Sequence, residues 1–364
     1  MVKKLRILSL FLIFIFLINC SFDNKTGIWK NKEKERIAAL KREQDESKEI
    51  IKILSSKDII LKEIPAKKSI SLLEPKKNLS WEMQGLNLQN YAGNLFLTGI
   101  SDDFINKKIG KKKHRVFKIN KSPLVFDQNI FFADDRGTIF SVNQKGKTNW
   151  KINIYKKIYK KIYKNLSLSI HNEKLYVADN IGFIYSLNIK NGSTTWIKNH
   201  GIPLKSNIKI FNNKIFLINQ DNRLLCLDIS DGSIVWDLRS ISPFIKSQGV
   251  VSMAISEEGY LVMLSSSGDL IQIFTKTGSL NWSLNISDVL DYSGTDFFQS
   301  SDIVLNKGEI IFSASSFIYS FDLVTANLNW RKKFKSQNTP IIIGDYIFLT
   351  SESGFFVNLD RKSG

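Results

Sequence analysis

Metal and disulfide chemistry have little to work with in this chain. It has two cysteines, Cys20 and Cys226, so at most one bond could form and no disulfide framework exists. Its three histidines, His114, His171 and His200, stand far apart, without the short spacings that zinc sites use. No G-x-S-x-G, no P-loop and no C-x-x-C-H occurs, which removes the common signatures of serine hydrolases, phosphate-cradling enzymes and haem attachment. Acidic residues are also short: 34 Asp and Glu against 52 Lys and Arg leave a formal charge of +18. Such an excess raises nucleic acid or anionic lipid as partners. The lysines are scattered over the whole chain, however, as a compositional bias would scatter them, and no nucleic-acid partner is expected. Long hydrophobic runs are missing apart from Ile7 to Ile18, a stretch of 12 residues that is too short for a stable membrane span.

What the chain does have is a repeat. Its clearest copy is Asp221 to Trp236, DNRLLCLDISDGSIVW. It reads as a tight turn, a short alternating strand, a second turn closed by Asp231-Gly232, and a strand carrying the tryptophan. Variants end at Trp150, Trp196, Trp282 and Trp330, and the steps between successive tryptophans are 46, 40, 46 and 48 residues. In each copy a turn residue (Gly146, Gly192, Gly232, Gly278, and Ala326 in the last) stands four before the tryptophan. Short strands repeating every 40–50 residues or so predict an all-β fold, a β-propeller with one blade per repeat. Runs such as KIFLI, apolar on both faces, are what a blade covered by neighbours on each side requires. One indole per blade, burying on the order of 200 Å², suits the wedge between blades. The five tryptophans are therefore read as structural. Cys226, inside LLCLD, is read as a small buried hydrophobe.

The pattern G-x-hydrophobic-x-x-hydrophobic-(D/N) followed by G-x-x-x-W resembles the PQQ-type propeller repeat. Within that superfamily the chain resembles the BamB family of lipoproteins, which serve the bacterial outer-membrane β-barrel assembly machine. The opening segment Trp81-Glu82-Met83-Gln84-Gly85 through Gly93-Asn94 is similar to that family's "W-x-Q-x-G … G-N" stretch. The resemblance covers roughly Asn78 to the end, and it implies eight blades. At about 45 residues per blade, Trp81 to Gly364 supplies six to seven. The last copy, GFFVNLDRKSG, stops four residues before its expected tryptophan, so the chain is read as lacking C-terminal blade material.

The N-terminus reads as an export signal. Lys3, Lys4 and Arg6 precede the apolar run, which ends in Leu17-Ile18-Asn19-Cys20. This resembles the lipobox of bacterial lipoproteins, in which the cysteine thiol takes the lipid, although Asn19 stands where a small residue is preferred. An ordinary signal peptide cut nearby is the alternative. Ser21, rather than aspartate, after Cys20 implies transfer to the outer membrane. The expected organisation is residues 1–20 as signal peptide, 21–75 as a lysine- and glutamate-rich, partly helical tether, and 76–364 as the propeller.

The resemblance implies a non-enzymatic scaffold at the outer membrane, lipid-anchored and facing the periplasm. Its partners would be the POTRA domains of the barrel-forming subunit BamA, the other BAM subunits, and nascent outer-membrane proteins. Phe244, Ile245 and Lys246 resemble that family's apolar-basic contact loop, and Asp302 falls in a segment resembling an acidic one. The rival is a periplasmic quinoprotein-like enzyme or ligand-binding propeller. Those enzymes resemble this repeat but carry an adjacent cysteine pair and a calcium site, neither of which is matched here, so no cofactor and no metal is expected. One insertion stays open. NIYKKIYKKIYK, 153–164, reads helically with tyrosines and isoleucines on one side and lysines on the other. It is either a basic amphipathic surface or a simple loop extension.

Overall fold

The computed structural model describes residues 69–97, 105, 109–110, 121–156, 158–159, 162–240, 251–286 and 298–364. The leader, Cys20 and nearly all of the tether expected from the sequence lie outside the described residues. The chain divides into two compact units, Met1–Ile70 and Ser71–Gly364, and every strand belongs to the second.

Five four-stranded antiparallel sheets and one three-stranded sheet follow one another along the chain. The first comprises β1 (Leu124–Phe126), β2 (Asn129–Ala133), β3 (Thr138–Asn143) and β4 (Thr148–Asn153). The second comprises β5 (Leu166–His171), β6 (Lys174–Asp179), β7 (Phe183–Asn188) and β8 (Thr194–Asn199). The third comprises β9 (Lys209–Phe211), β10 (Lys214–Ile218), β11 (Arg223–Asp228) and β12 (Ile234–Arg239). The fourth comprises β13 (Ser252–Ile255), β14 (Tyr260–Leu264), β15 (Asp269–Phe274) and β16 (Leu280–Asn285). The fifth comprises β17 (Val304–Asn306), β18 (Glu309–Ala314), β19 (Phe317–Asp322) and β20 (Leu328–Lys333). The sixth is β21 (Ile341–Ile343), β22 (Tyr346–Thr350) and β23 (Phe356–Asp360). Each sheet is a meander in sequence order, which is the blade of a propeller.

The core lies between the blades. Five buried apolar clusters each join neighbouring sheets, such as Tyr176, Ile184, Ile210, Ile215 and Leu225 between the second and third. The middle strands are buried on both faces, while the fourth strands alternate, with β12 reading exposed, exposed, half-buried, exposed, half-buried, exposed. Each buried Leu or Ile contributes about 1.5–3 kcal/mol, so the ring is held by many wedges rather than by one centre.

The turn between the third and fourth strands explains the motif. The side-chain oxygens of Asn143, Asn188, Asp228, Asp322 and Asp360 accept the backbone N–H two residues on, so a short acceptor ends the third strand of five sheets, while Phe274 ends that of the fourth. Three or four residues later the backbone turns left-handed, with φ of 69° at Gly146, 73° at Gly192, 72° at Gly232 and 75° at Gly278. Close approach adds a second demand. A Cβ on Gly192, Gly232 or Gly278 would fall 2.7 Å from the indole of Trp150, Trp196 or Trp236 respectively. Each glycine thus serves the tryptophan of the preceding blade, not the one four residues after it. Ala326 holds the same conformation, φ 60°, with a side chain. Left-handed backbone costs a non-glycine residue about 1 kcal/mol. Ala326→Gly is accordingly expected to raise the midpoint of urea unfolding by an amount corresponding to about 0.5–1 kcal/mol. An unchanged or lowered midpoint would show that the site is unstrained.

A bulge precedes each tryptophan pairing, between Ser141 and Val142, Ser186 and Leu187, Cys226 and Leu227, Gln272 and Ile273, and Ser320 and Phe321. Trp150, Trp196, Trp236, Trp282 and Trp330 pair with the first residue of each couple, which aims every indole into the wedge between blades. Four of them also reach across: their Nε1 groups donate to Ile189 O at 2.9 Å, Ile229 O at 3.3 Å, Leu323 O at 3.1 Å and Arg361 O at 2.9 Å. Trp236 is the exception, its buried Nε1 having no partner among the described residues. Cys226 lies opposite Trp236, fully buried, and burial pushes its thiol up to about 11.

The axis of the ring is filled by the chain itself. Trp81 exchanges backbone hydrogen bonds with Val125 of β1 at 2.7 and 2.9 Å. Glu82 O accepts from Ile170 of β5 at 2.6 Å, Leu88 O from Ile255 of β13 at 2.9 Å, and Gln89 O from Leu305 of β17 at 2.9 Å. Tyr91 then packs on the cluster of Val304 and Ile342. The segment therefore touches the innermost strand of one blade after another. β9 answers with a side chain: Lys209, 1% exposed, donates through Nζ to Gln84 O at 3.1 Å, Asn87 O at 2.5 Å and Asn90 Oδ1 at 2.6 Å. Asn90 Nδ2 completes the hub on Met253 O at 3.0 Å and Ile303 O at 2.7 Å.

Candidate functional site

Two kinds of loop share one face of the ring: the turns between second and third strands, and the connections from one blade's fourth strand to the next blade's first. The structure stitches them together. His200 N donates to Gly182 O at 2.8 Å, Gln220 N to Pro203 O at 2.8 Å, Ile286 N to Gly268 O at 2.9 Å, and Phe334 N to Ser316 O at 2.8 Å. The turns are braced locally, as where Asp179 Oδ1 accepts the N–H groups of Ile181, Gly182 and Phe183. These bonds tie the described parts of the connections to the neighbouring turns.

The sequence-predicted contact residues fall on these connections. Phe244, Ile245 and Lys246 belong by position to the one between β12 and β13, and they lie outside the described residues. Asp302 ends the one between β16 and β17. It is half-buried, and its charge acts on Lys121 and Lys209. Asp302 is thus tied to the axial hub, a role its sequence context did not signal. Burial lowers Lys121 to about 8 and Lys209 to about 7, and in both cases Asp302 offsets part of the shift. Lys121 Nζ also donates to Asn207 Oδ1 at 3.1 Å, which joins the segments leading into β1 and β9.

The 153–164 insertion departs from the helical reading. Tyr159 N donates to Lys156 O and Ile162 N to Tyr159 O, both three residues back, so the chain makes tight single turns rather than an α-helix. Tyr155 and Lys164 turn inward, 5% and 2% exposed, while Ile158 and Ile162 face solvent. Ile154 packs inward with Tyr155 and Tyr159, so the insertion has no single isoleucine-and-tyrosine face.

Among the described residues no group of three or more His, Cys, Asp or Glu side chains could hold a metal ion. His171 closes β5, His200 follows β8, where burial lowers its pKa, and His114 lies outside the described residues. Among the described residues no helix is long and apolar enough to cross a membrane. The axis, where a ring of blades leaves a channel for a ligand, is occupied by Trp81 to Tyr91.

A family model described as "Outer membrane protein assembly factor BamB" matches residues 135–364, from the second turn of the first blade onward. The chain belongs to this family. Curated BamB proteins are similar at low identity: 22% over 245 residues in Yersinia pestis, covering 65% of this chain and 62% of that protein. In Moranella endobia the identity is 22% over 230 residues, covering 55% of each, and in Shewanella oneidensis 20% over 196 residues, covering 52% and 49%. The chain thus spans about half to three-fifths of the length of the curated BamB relatives it matches. Among solved structures it is similar to BamB from Moraxella catarrhalis, with 18% identity and a TM-score of 0.49, covering 66% of this chain and 74% of that one. It is also similar to a europium-containing methanol dehydrogenase, with 14% identity and a TM-score of 0.53, covering 70% and 58%. The latter likeness shows that BamB-family propellers share their fold with enzymes, and nothing more.

Proposed function

We propose that this protein is a non-enzymatic scaffold of outer-membrane β-barrel assembly, docking through its connection face onto the POTRA domains of BamA. In this reading Cys20 carries lipid that holds it to the outer membrane on the periplasmic side, and the tether spaces the ring from the bilayer. Family membership supports the assembly role. The observation that carries the scaffold reading over the quinoprotein-like one is the filled axis. Trp81 to Tyr91 is bonded to one inner strand after another, so among the described residues the inner strands are engaged by the chain itself. Small interfaces draw most of their affinity from a few buried apolar anchors with a charge nearby, which Phe244, Ile245 and Lys246 supply in type.

The test is a double substitution. Ile245→Ala with Lys246→Glu is expected to weaken binding to the soluble POTRA domains about tenfold or more, with thermal unfolding unchanged. Unaltered affinity in a normally melting variant would remove this loop from the interface.

A further inference from the structure

Among the described residues the sixth sheet has three strands, which leaves β23 at its edge. In the other sheets the third strand is buried at its four inner positions, whereas β23 is half-buried or exposed throughout. Two of its features match the seat of a blade tryptophan. Phe348 pairs with Asn358 as Phe131 pairs with Ser141, Tyr176 with Ser186 and Phe216 with Cys226. In those three sheets the aromatic ring packs on the fourth-strand indole, with centroids 6.1 Å from Trp150, 6.1 Å from Trp196 and 5.9 Å from Trp236. Phe348 stacks instead on Phe356, which is 70% exposed. Asn358 Oδ1 is buried and has no partner among the described residues. At the matching positions Ser141, Gln272 and Ser320 accept from Asn149, Asn281 and Asn329 at 3.4, 2.9 and 3.2 Å, and each of these donors stands just before its tryptophan. The edge is thus shaped for a strand that carries a side-chain donor followed by tryptophan.

One described segment has that pattern. Asn78-Leu79-Ser80-Trp81 reads like Asn327-Leu328-Asn329-Trp330, with the Ser80 hydroxyl in place of the amide. At the axis it is incompletely satisfied. Trp81 Nε1 is buried with no partner among the described residues, Leu79 is 87% exposed, and the segment meets β1 and β5 through single bridges, Trp81 with Val125 and Met83 with Ser169. We propose that Asn78 to Met83 is a strap with a second seat, in which it leaves the axis and pairs antiparallel with β23 as the fourth strand of the sixth sheet. The register of the fifth sheet, Ser320 with Trp330 and Phe321 with Leu328, then sets Trp81 opposite Asn358 and Leu79 opposite Leu359. In that seat the indole covers Phe348, Ser80 donates to Asn358 Oδ1, and Leu79 is shielded from water. The sixth sheet is within reach. A Cβ on Gly344 would lie 3.9 Å from Leu73 Cδ1, and Tyr91 packs on the cluster that Val357 and Leu359 flank. Leu73 stands five residues before the strap, a length that spans about 16 Å when extended. Backbone bonds given up at the axis are remade along β23, so the exchange turns on burying the indole and Leu79 and on pairing Asn358. Leu88 and Gln89 keep their bonds to Ile255 and Leu305. The strap is independent of the POTRA contact proposed above.

Disulfide trapping tests this in the mature chain with Cys20→Ser, Cys226 being fully buried. Met83→Cys is combined either with Ser169→Cys, its neighbour at the axis, or with Phe356→Cys, its neighbour in the second seat. After equilibration in a glutathione buffer the 83–356 disulfide is expected within one chain, and Trp81→Ala is expected to lower its yield about tenfold. Its formation supports the strap whether or not the 83–169 disulfide also forms. Absence of the 83–356 disulfide from a cooperatively melting protein would overturn the proposal. So would a yield indifferent to Trp81→Ala, as chance collision would give, or a disulfide between two chains, which would put another copy on β23. Where a cysteine pair lowers the melting temperature, amide hydrogen exchange across β23 is compared between wild type and Trp81→Ala. Faster exchange in the variant supports the strap, and equal exchange opposes it.

Discussion

Lys209→Met is expected to lower the unfolding free energy by about 3 kcal/mol or more, the largest loss for any single side chain at the axis. Methionine fills the space of the lysine stem but donates nothing. Gln84 O, Asn87 O and Asn90 Oδ1 would then lose their donor, all three where Nζ is charged and two of them where it is neutral, and each orphaned buried acceptor costs about 1–3 kcal/mol. The loss also has a pH signature. Burial holds Lys209 at about 7 in the folded protein, against 10.5 in the unfolded chain. Between those values the unfolded chain binds the proton and the folded one does not, so this group's contribution to stability rises with pH and falls as pH drops toward 7. Below about 7 both states are charged and the dependence ends. Urea titrations at several pH values between 7 and 10 would show a gap between wild type and variant that widens with pH. A gap independent of pH, or near zero, would mean that Lys209 is not the hub described here.

Trp150→Ala is the second large effect, expected at about 3–5 kcal/mol. The indole fills the wedge between the first two blades, lies against the turn at Gly192 and bonds Ile189 O. Removing it opens a cavity that the flanking sheets cannot close without breaking their own registers. Phenylalanine at the same place keeps much of the volume and loses the hydrogen bond, at a cost of about 1 kcal/mol more than the size change alone. Trp236 provides the internal control, because its Nε1 has no partner. Trp236→Phe is expected to be milder than Trp150→Phe by about that bond. Calorimetric or chemical unfolding of the two variants decides the matter, and equal losses would deny the inter-blade bond any net worth.

The blades were legible because their information is local. Alternating apolar residues, an Asn or Asp ending most third strands, a left-handed glycine and a tryptophan all lie within about twenty residues, so each hairpin is marked locally. The partner of that glycine was not legible. It touches the tryptophan of the blade before, a relation between residues some forty positions apart that no single repeat displays. The axial segment was hidden for the same reason. Trp81 to Tyr91 reads as a turn-rich opening, and its contacts run from Val125 to Leu305, across four blades. One signal for it was present: Lys209 interrupts an apolar inner strand between Ile208 and Ile210, where a free charge has no business unless something meets it. In the insertion, the period of four left a helical basic surface and a simple loop extension both open. Tight three-residue turns and inward anchors at Tyr155 and Lys164 set the exposure instead.

The scaffold account turns on whether the connection face binds its partner, and a titration measures this directly. The mature protein with Cys20→Ser is mixed with the soluble POTRA domains of the cognate BamA, and the dissociation constant is read by calorimetry or fluorescence. The account predicts saturable binding, micromolar or tighter, that leaves the propeller's own unfolding transition intact and stabilised. A protein that melts cooperatively but shows no binding at the highest soluble concentrations would contradict it.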